Sequence, residues 1–183
     1  MINRELFFDT VRPSIFNGAL TQSQVDGIRV ILNEWEEQKL KDLRFLAYML
    51  ATTYHETAHT MQPVAEYGKG KGRKYGVADP VTKQTYYGRG FVQLTWKGNY
   101  EAMSVVTGED LVNHPDRAMD MKVATKILFY GMLHGSFTGK KLSDYFNDLS
   151  TDWFKARKII NGLDKAALIQ DYAEKFYNAL KAV

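Results

Sequence analysis

The chain has 183 residues, 45% hydrophobic and 25% charged, with a formal net charge of +3 and no cysteine. That length and balance predict a single domain (1–183) able to bury a sizeable core. The missing cysteines exclude disulfides and thiolate metal sites, and so mild a charge does not by itself point to nucleic acid.

No apolar run approaches the ~20 residues of a membrane span. The opening Met1-Ile2-Asn3-Arg4-Glu5 brings an acid early and no long apolar region, so a secretory signal is not expected. Thr21 is placed to cap a helix, with Gln24 as capping-box partner, and Val25, Ile28, Leu32 and Trp35 form its apolar stripe. Asp42 suits the next cap; Leu43, Leu46, Ala47 and Leu50 give that helix a buried face as it runs toward Glu56. Pro63 must end it, because proline lacks the backbone donor and clashes one turn back.

Residues 67–90 hold six glycines among tyrosines and basic residues, with little helical period, and predict a small β-hairpin or ribbon with loops. A helix is expected to start near Trp96. Residues 115–134 read as one long buried helix carrying Ala118, Met121, Ala124, Ile127, Leu128 and Leu133. Trp153 to Ile160 and Lys165 to Leu180 supply two more. The expected architecture is mainly α, a helical body with a small β lobe and a cleft between them.

Two segments carry the chemistry. Glu56 stands near a helix end beside His55, and Glu66 follows ten residues later. On one helix they would lie ~15 Å apart along the axis and on different faces. Pro63 forces a turn, which lets Glu66 face back toward Glu56. Two carboxyl groups roughly 6.5–9.5 Å apart, one a protonated acid and one a base holding water, are what an inverting glycosidase requires. Burial beside apolar groups would raise the acid's pKa. From spacing alone, two surface charges are the plainer reading.

The second segment is Tyr86-Tyr87-Gly88-Arg89-Gly90-Phe91-Val92-Gln93-Leu94-Thr95-Trp96-Lys97-Gly98-Asn99-Tyr100. This mixture is poor core material and suits a groove in which rings stack on a flat apolar face. If extended, it points Gln93 and Thr95 to one side, where an amide and a hydroxyl can hold a water beside a base. Thr95 capping the following helix and a solvated Gln93 are the alternatives.

His55-Glu56-Thr57, the run Tyr87 to Trp96 with Asn99-Tyr100, Asn113-His114-Pro115-Asp116 and Ile159-Ile160-Asn161-Gly162 together resemble glycoside hydrolase family 19. That family comprises plant-type chitinases and many phage endolysins, and it implies a lysozyme-like fold. Carried over, the resemblance makes Glu56 the general acid and Glu66 the general base. It makes Gln93 and Thr95 placers of the attacking water, and Asn99 and Asn161 hydrogen-bonding partners of the sugar. Tyr87 and Trp96 would bind substrate, and Arg89 would pair with an active-site carboxylate. The longer insert between the two acids of the plant enzymes is missing, so Asp79 is a fallback for the second carboxylate. After Asn161-Gly162 the family's second glycine and later arginine are also missing; the chain reads Leu163-Asp164-Lys165.

The compact form, the lack of cysteines and the N-terminal segment Phe7 to Gln24 resemble lysins more than secreted chitinases. Peptidoglycan strands are therefore the expected partner, with chitin oligomers the alternative, cut by a monomer without metal or cofactor. The enzyme would be made in the host cytoplasm and released by a holin. Lys69, Lys71, Arg73 and Lys74 form a glycine-spaced basic loop that a polyanionic wall would attract; a solvated, flexible loop is the equal alternative.

Three rival readings stand beside this one. His55-Glu56-Thr57-Ala58-His59 is a literal H-E-x-x-H, which on a helix would hold zinc in a peptidase. The position for a third ligand in the longer signature holds Ala65 instead. Tyr67, Tyr75, Tyr86, Tyr87 and Trp96 would also serve a non-catalytic glycan-binding module, which has no need of Glu56. The C-terminal stripe Leu168, Ile169, Tyr172, Phe176 and Leu180, with Lys165, Lys175 and Lys181, offers contact with an outer membrane. Asp164, Asp171 and Glu174 offset those lysines, and packing against the body is the plainer reading.

Overall fold

The computed structural model describes residues 2–182, leaving out Met1 of the N-terminal stretch read above. Among the described residues the body is built from six α-helices: α1 (Arg4–Ser14), α2 (Gln22–Glu37), α3 (Leu43–Glu56), α4 (Lys97–Thr107), α5 (Met121–His134) and α6 (Ala166–Lys181). The sheet is a single antiparallel pair, β1 (Val64–Ala65) and β2 (Arg89–Gly90), with Val64 opposite Gly90 and Ala65 opposite Arg89. Among the described residues no helix is long and apolar enough to cross a membrane.

The predicted caps form. Thr21 and Gln24 make the reciprocal capping box of α2, and the Asp42 carboxylate accepts the Arg44 amide at the start of α3. Each satisfies amides that have no partner inside their helix. α3 is the central helix. Every residue from Leu46 to Tyr54 is buried, because α6 packs along it and α2 and α5 also lie against it. Phe7, Phe16, Tyr54 and Phe176 join α1, α3 and α6 in one aromatic cluster, with Phe16 and Tyr54 edge to face at 5.1 Å. Most of the α6 stripe therefore faces this core: Ile169, Phe176 and Leu180 are buried together with Ala173 and Ala179, Tyr172 is partly buried, and Leu168 is exposed.

Four boundaries differ from the sequence-based expectation. The segment 115–134 is a 3-10 turn, Pro115–Met119, followed by α5. Asp120 is extended between them and accepts the amides of Lys122 and Val123, so the carboxylate restarts the helix. Trp153 to Ile160 contains only a 3-10 turn, Lys155–Ile159. α3 stops at Glu56, well before Pro63, because Ala58 and His59 take positive φ values of 48° and 70°. The β ribbon sits only at the base of the 66–88 loop. α1 is a further helix beyond those expected from the sequence.

Candidate active site

Glu56 is the last residue of α3 and lies at the edge of a groove of about 410 Å³. Tyr75, Gln93, Thr95, Trp96, Asn99, Phe137 and Asn161 line it as well. Four of the polar residues expected in the site, Gln93, Thr95, Asn99 and Asn161, are thus brought together with Glu56.

The partner of Glu56 comes from the far end of the chain. Arg157, in the 3-10 turn Lys155–Ile159, donates from Nη1 to Glu56 Oε1 at 2.5 Å and from Nε to the Asp164 carbonyl at 3.0 Å. The Arg157 side chain is 4% exposed and that of Glu56 15%. A guanidinium fixed at two points holds the carboxylate in one orientation, and the charged hydrogen bond is strong in so dry a place. Glu56 Oε2 has no protein partner among the described residues. Neighbouring His55 is half-buried, and burial pushes its imidazole below the usual histidine value against the opposing pull of Glu56.

Glu66 follows β1 and continues its ladder, its amide donating to the Gly88 carbonyl at 2.7 Å. Its carboxylate is held on both oxygens: the Tyr75 hydroxyl donates to Oε1 at 3.0 Å and the Gly88 amide to Oε2 at 3.1 Å. Tyr75 lines the groove and stands edge-on to Trp96, with ring centroids 5.2 Å apart, so it couples Glu66 to the groove. Asp79 is differently engaged. Its carboxylate accepts the Val81 and Thr82 amides and pairs with Lys97 at 2.9 Å. The Thr82 amide first, then Lys97, hold its pKa down to about 2.

The Gln93–Thr95 stretch is not extended. Arg89 and Leu94 bridge each other with bonds of 3.2 and 2.8 Å, so the chain doubles back between them. Gly90 at φ 84° permits the turn, and Gln93 and Trp96 also take positive φ, 54° and 75°. Two non-glycine residues in that region within four positions mark a strained loop of the kind found at functional sites. The turn, rather than strand alternation, puts Gln93 and Thr95 in the same groove. The Gln93 amide donates to the Val64 carbonyl at 3.0 Å, tying the loop to β1. The Thr95 hydroxyl donates to the Gln93 carbonyl at 2.7 Å, and the Asn99 amide to the Thr95 carbonyl at 2.8 Å. The Thr95 hydroxyl does not cap α4, whose start at Trp96 has no side-chain cap.

Arg89 and Tyr87 lie elsewhere, which corrects two expectations. The Arg89 side chain is 3% exposed and pairs with Asp116 at 2.8 Å, not with a groove carboxylate. It also donates to the Thr85 carbonyl and the Tyr100 hydroxyl, and its guanidinium lies 3.6 Å from the centre of the buried Tyr87 ring. Tyr86, Phe91, Leu94 and Tyr100 are buried too. Much of this motif is core after all, because an arginine bonded through Nε and Nη1 and packed against two tyrosine rings costs less to bury. Trp96, at 51% exposure, is its aromatic in the groove.

The H-E-x-x-H does not stay on a helix. His59 lies beyond the end of α3 and stacks on Tyr54 at 4.1 Å, its Nε2 3.4 Å from the Tyr172 hydroxyl. Among the described residues no three His, Asp or Glu side chains cluster as metal ligands would. A larger depression of about 740 Å³ near Trp35, Leu43 and Leu180 contains one carboxylate, Glu36, already bonded to Arg4 and the Ile2 amide.

Residues 41–138 match the family model for chitinase class I, the family 19 glycoside hydrolases. Chitinase C from Streptomyces griseus HUT6037 is similar in structure, with a TM-score of 0.62 at 22% identity over 96% of this chain and 88% of that one. A bacterial family 19 chitinase, described as differing from the plant enzymes, gives 0.55 at 20% identity over 100% and 96%. The sequence matches no curated protein. The chain belongs to glycoside hydrolase family 19. It is a glycosidase with the lysozyme-like fold of those chitinases, mainly helical with one small sheet.

Proposed function

We propose that this protein hydrolyses the β-1,4 glycosidic bonds of bacterial peptidoglycan by single displacement with inversion, as an endolysin of phage origin. The observation that carries the catalytic part is Glu56, a groove-lining residue fixed by Arg157 through Oε1 while Oε2 has no protein partner among the described residues. In this reading Glu56 takes up a proton from solvent on Oε2, the oxygen not bonded to Arg157, and passes it to the leaving oxygen. Glu66, oriented by Tyr75 and the Gly88 amide, takes the proton of a water attacking the opposite face of the sugar ring. Gln93 and Thr95 help to seat that water, Asn99 and Asn161 bond the sugar's acetamido and hydroxyl groups, and Trp96 offers a ring for stacking.

Peptidoglycan is favoured over chitin because its stem peptides carry carboxylates, which suit a chain with an excess of cations. The lytic role goes with synthesis in the host cytoplasm and release by a holin. The exposed face of α6 is the part offered to an outer membrane. Chitin oligomers are the second reading, favoured by the named activity of the two structural neighbours.

Turbidity loss of purified peptidoglycan, with and without EDTA, followed by mass spectrometry of the fragments, tests this function. New reducing sugar ends released without sensitivity to EDTA support it. Free peptide termini with intact glycan strands, lost with EDTA, would replace it with a metallopeptidase. Activity on chitin oligomers alone would select the second reading.

A further inference from the structure

The basic loop and the candidate base belong to one structural unit. Between Glu66 and Tyr75 the chain makes successive tight turns, in which Lys69 donates its amide to the Glu66 carbonyl, Lys71 to Gly68 and Arg73 to Gly70, each at 2.9 Å. Gly70 and Gly72 take φ values of 71° and 77°, conformations open to glycine at little cost. The loop also closes on itself, since a Cβ on Gly76 would fall 2.0 Å from the Gly70 carbonyl oxygen. The bond from the Tyr75 hydroxyl to Glu66 ties its two ends together.

On this closed loop Lys69, Lys71, Arg73 and Lys74 are all exposed, and none forms an ion pair among the described residues. No acidic residue interrupts them between Glu66 and Asp79, and Asp79 is itself paired with Lys97. Four unpaired cations on a stapled loop make a local positive surface. Tyr75 gives that surface a fixed relation to the groove, because it ends the loop and lines the groove.

We infer that the loop 67–74 is an electrostatic selector for the substrate: it binds the stem-peptide carboxylates flanking the glycan strand seated in the groove. This rests on the peptidoglycan reading and deepens it. The anions must be those of the strand being cut, since the loop begins at the candidate base and ends at a groove-lining ring. A neutral glycan gains nothing from it.

The test compares wild type with the quadruple variant K69Q/K71Q/R73Q/K74Q on two forms of one substrate. One is purified sacculi; the other is the same sacculi with their carboxylates amidated by a carbodiimide and ammonia. For wild type, amidation should slow the release of reducing ends about fivefold to tenfold, and raising salt from about 50 to 300 mM should slow cleavage of untreated sacculi similarly. The variant, with a melting temperature close to that of wild type, should cleave both forms at nearly equal rates and respond little to salt. Wild type equally fast on both forms, with a flat salt response, would overturn the selector while leaving the peptidoglycan reading intact. Wild type unable to cleave either form would overturn that reading itself.

Discussion

Arg157 lies 101 residues after Glu56 in the chain, yet its Nη1 sits 2.5 Å from Glu56 Oε1 with both side chains largely out of water. The helix α3 delivers the acid at its last residue, and the short turn before Asn161 delivers the cation. The Asp164 carbonyl fixes the guanidinium from its other side.

Replacing Arg157 by alanine strands Glu56 and the Asp164 carbonyl together. Removing one partner of a buried pair costs about 3 kcal/mol, or roughly 6–12 °C in melting temperature for a chain of this size. Activity should fall by about two orders of magnitude because the acid loses its orientation. Arg157→Lys keeps the charge but not the two-point grip, and should recover part of the stability and little of the rate. Thermal melts beside initial rates check both.

Tyr75→Phe removes one hydroxyl and keeps the ring against Trp96. If Tyr75 orients Glu66, kcat should drop about tenfold, the scale of one hydrogen bond to a charged group, with KM nearly unchanged. A rise in KM at constant kcat would instead assign Tyr75 to substrate binding.

Asp79 should matter to stability and not to chemistry. Its folded pKa, about 2, lies below the ordinary aspartate value. The stabilisation is therefore fully present above about pH 4 and is lost as pH falls through about 2. Asp79→Ala should lower the melting temperature at pH 7 and flatten its fall between those two values. Hydrolysis per folded molecule should stay within about twofold of wild type, whereas a catalytic base would cost at least about a hundredfold.

The Tyr48 hydroxyl is buried without a hydrogen-bond partner among the described residues, and burial raises its pKa strongly. A phenylalanine fits the same space without a polar group to desolvate. Tyr48→Phe should be neutral or stabilising by up to about 1 kcal/mol, read as a rise of roughly 2–4 °C in melting temperature. A clear fall would reveal a bound water or another partner on that hydroxyl.

Much of this architecture could be read from the chain. Thr21 with Gln24, and Asp42, announced their helices because capping is local chemistry. Glu56, Gln93, Thr95, Trp96, Asn99 and Asn161 were legible as a set through the family resemblance. Arg157 was not, since a contact across 101 residues leaves no trace in spacing, and Arg89 was the more conspicuous arginine. The one local signal was an arginine between Ala156 and Ile159, both of which are buried. The role of Tyr75 on Glu66 was hidden for another reason: a glycine-rich loop has no period from which to read its closure. Asp120 gives no restart signal in the sequence because the apolar pattern runs through it unbroken.

In the proposed mechanism, Glu56 is the residue on which hydrolysis depends most directly. The measurement is the rate of reducing-end release from purified peptidoglycan by wild type and Glu56→Gln, with matched melting temperatures. A loss of at least about a thousandfold in the variant is predicted, because glutamine keeps an acceptor for Arg157 but has no proton to give. A variant that still cleaves within about tenfold of wild type would contradict the assignment of Glu56 as the acid.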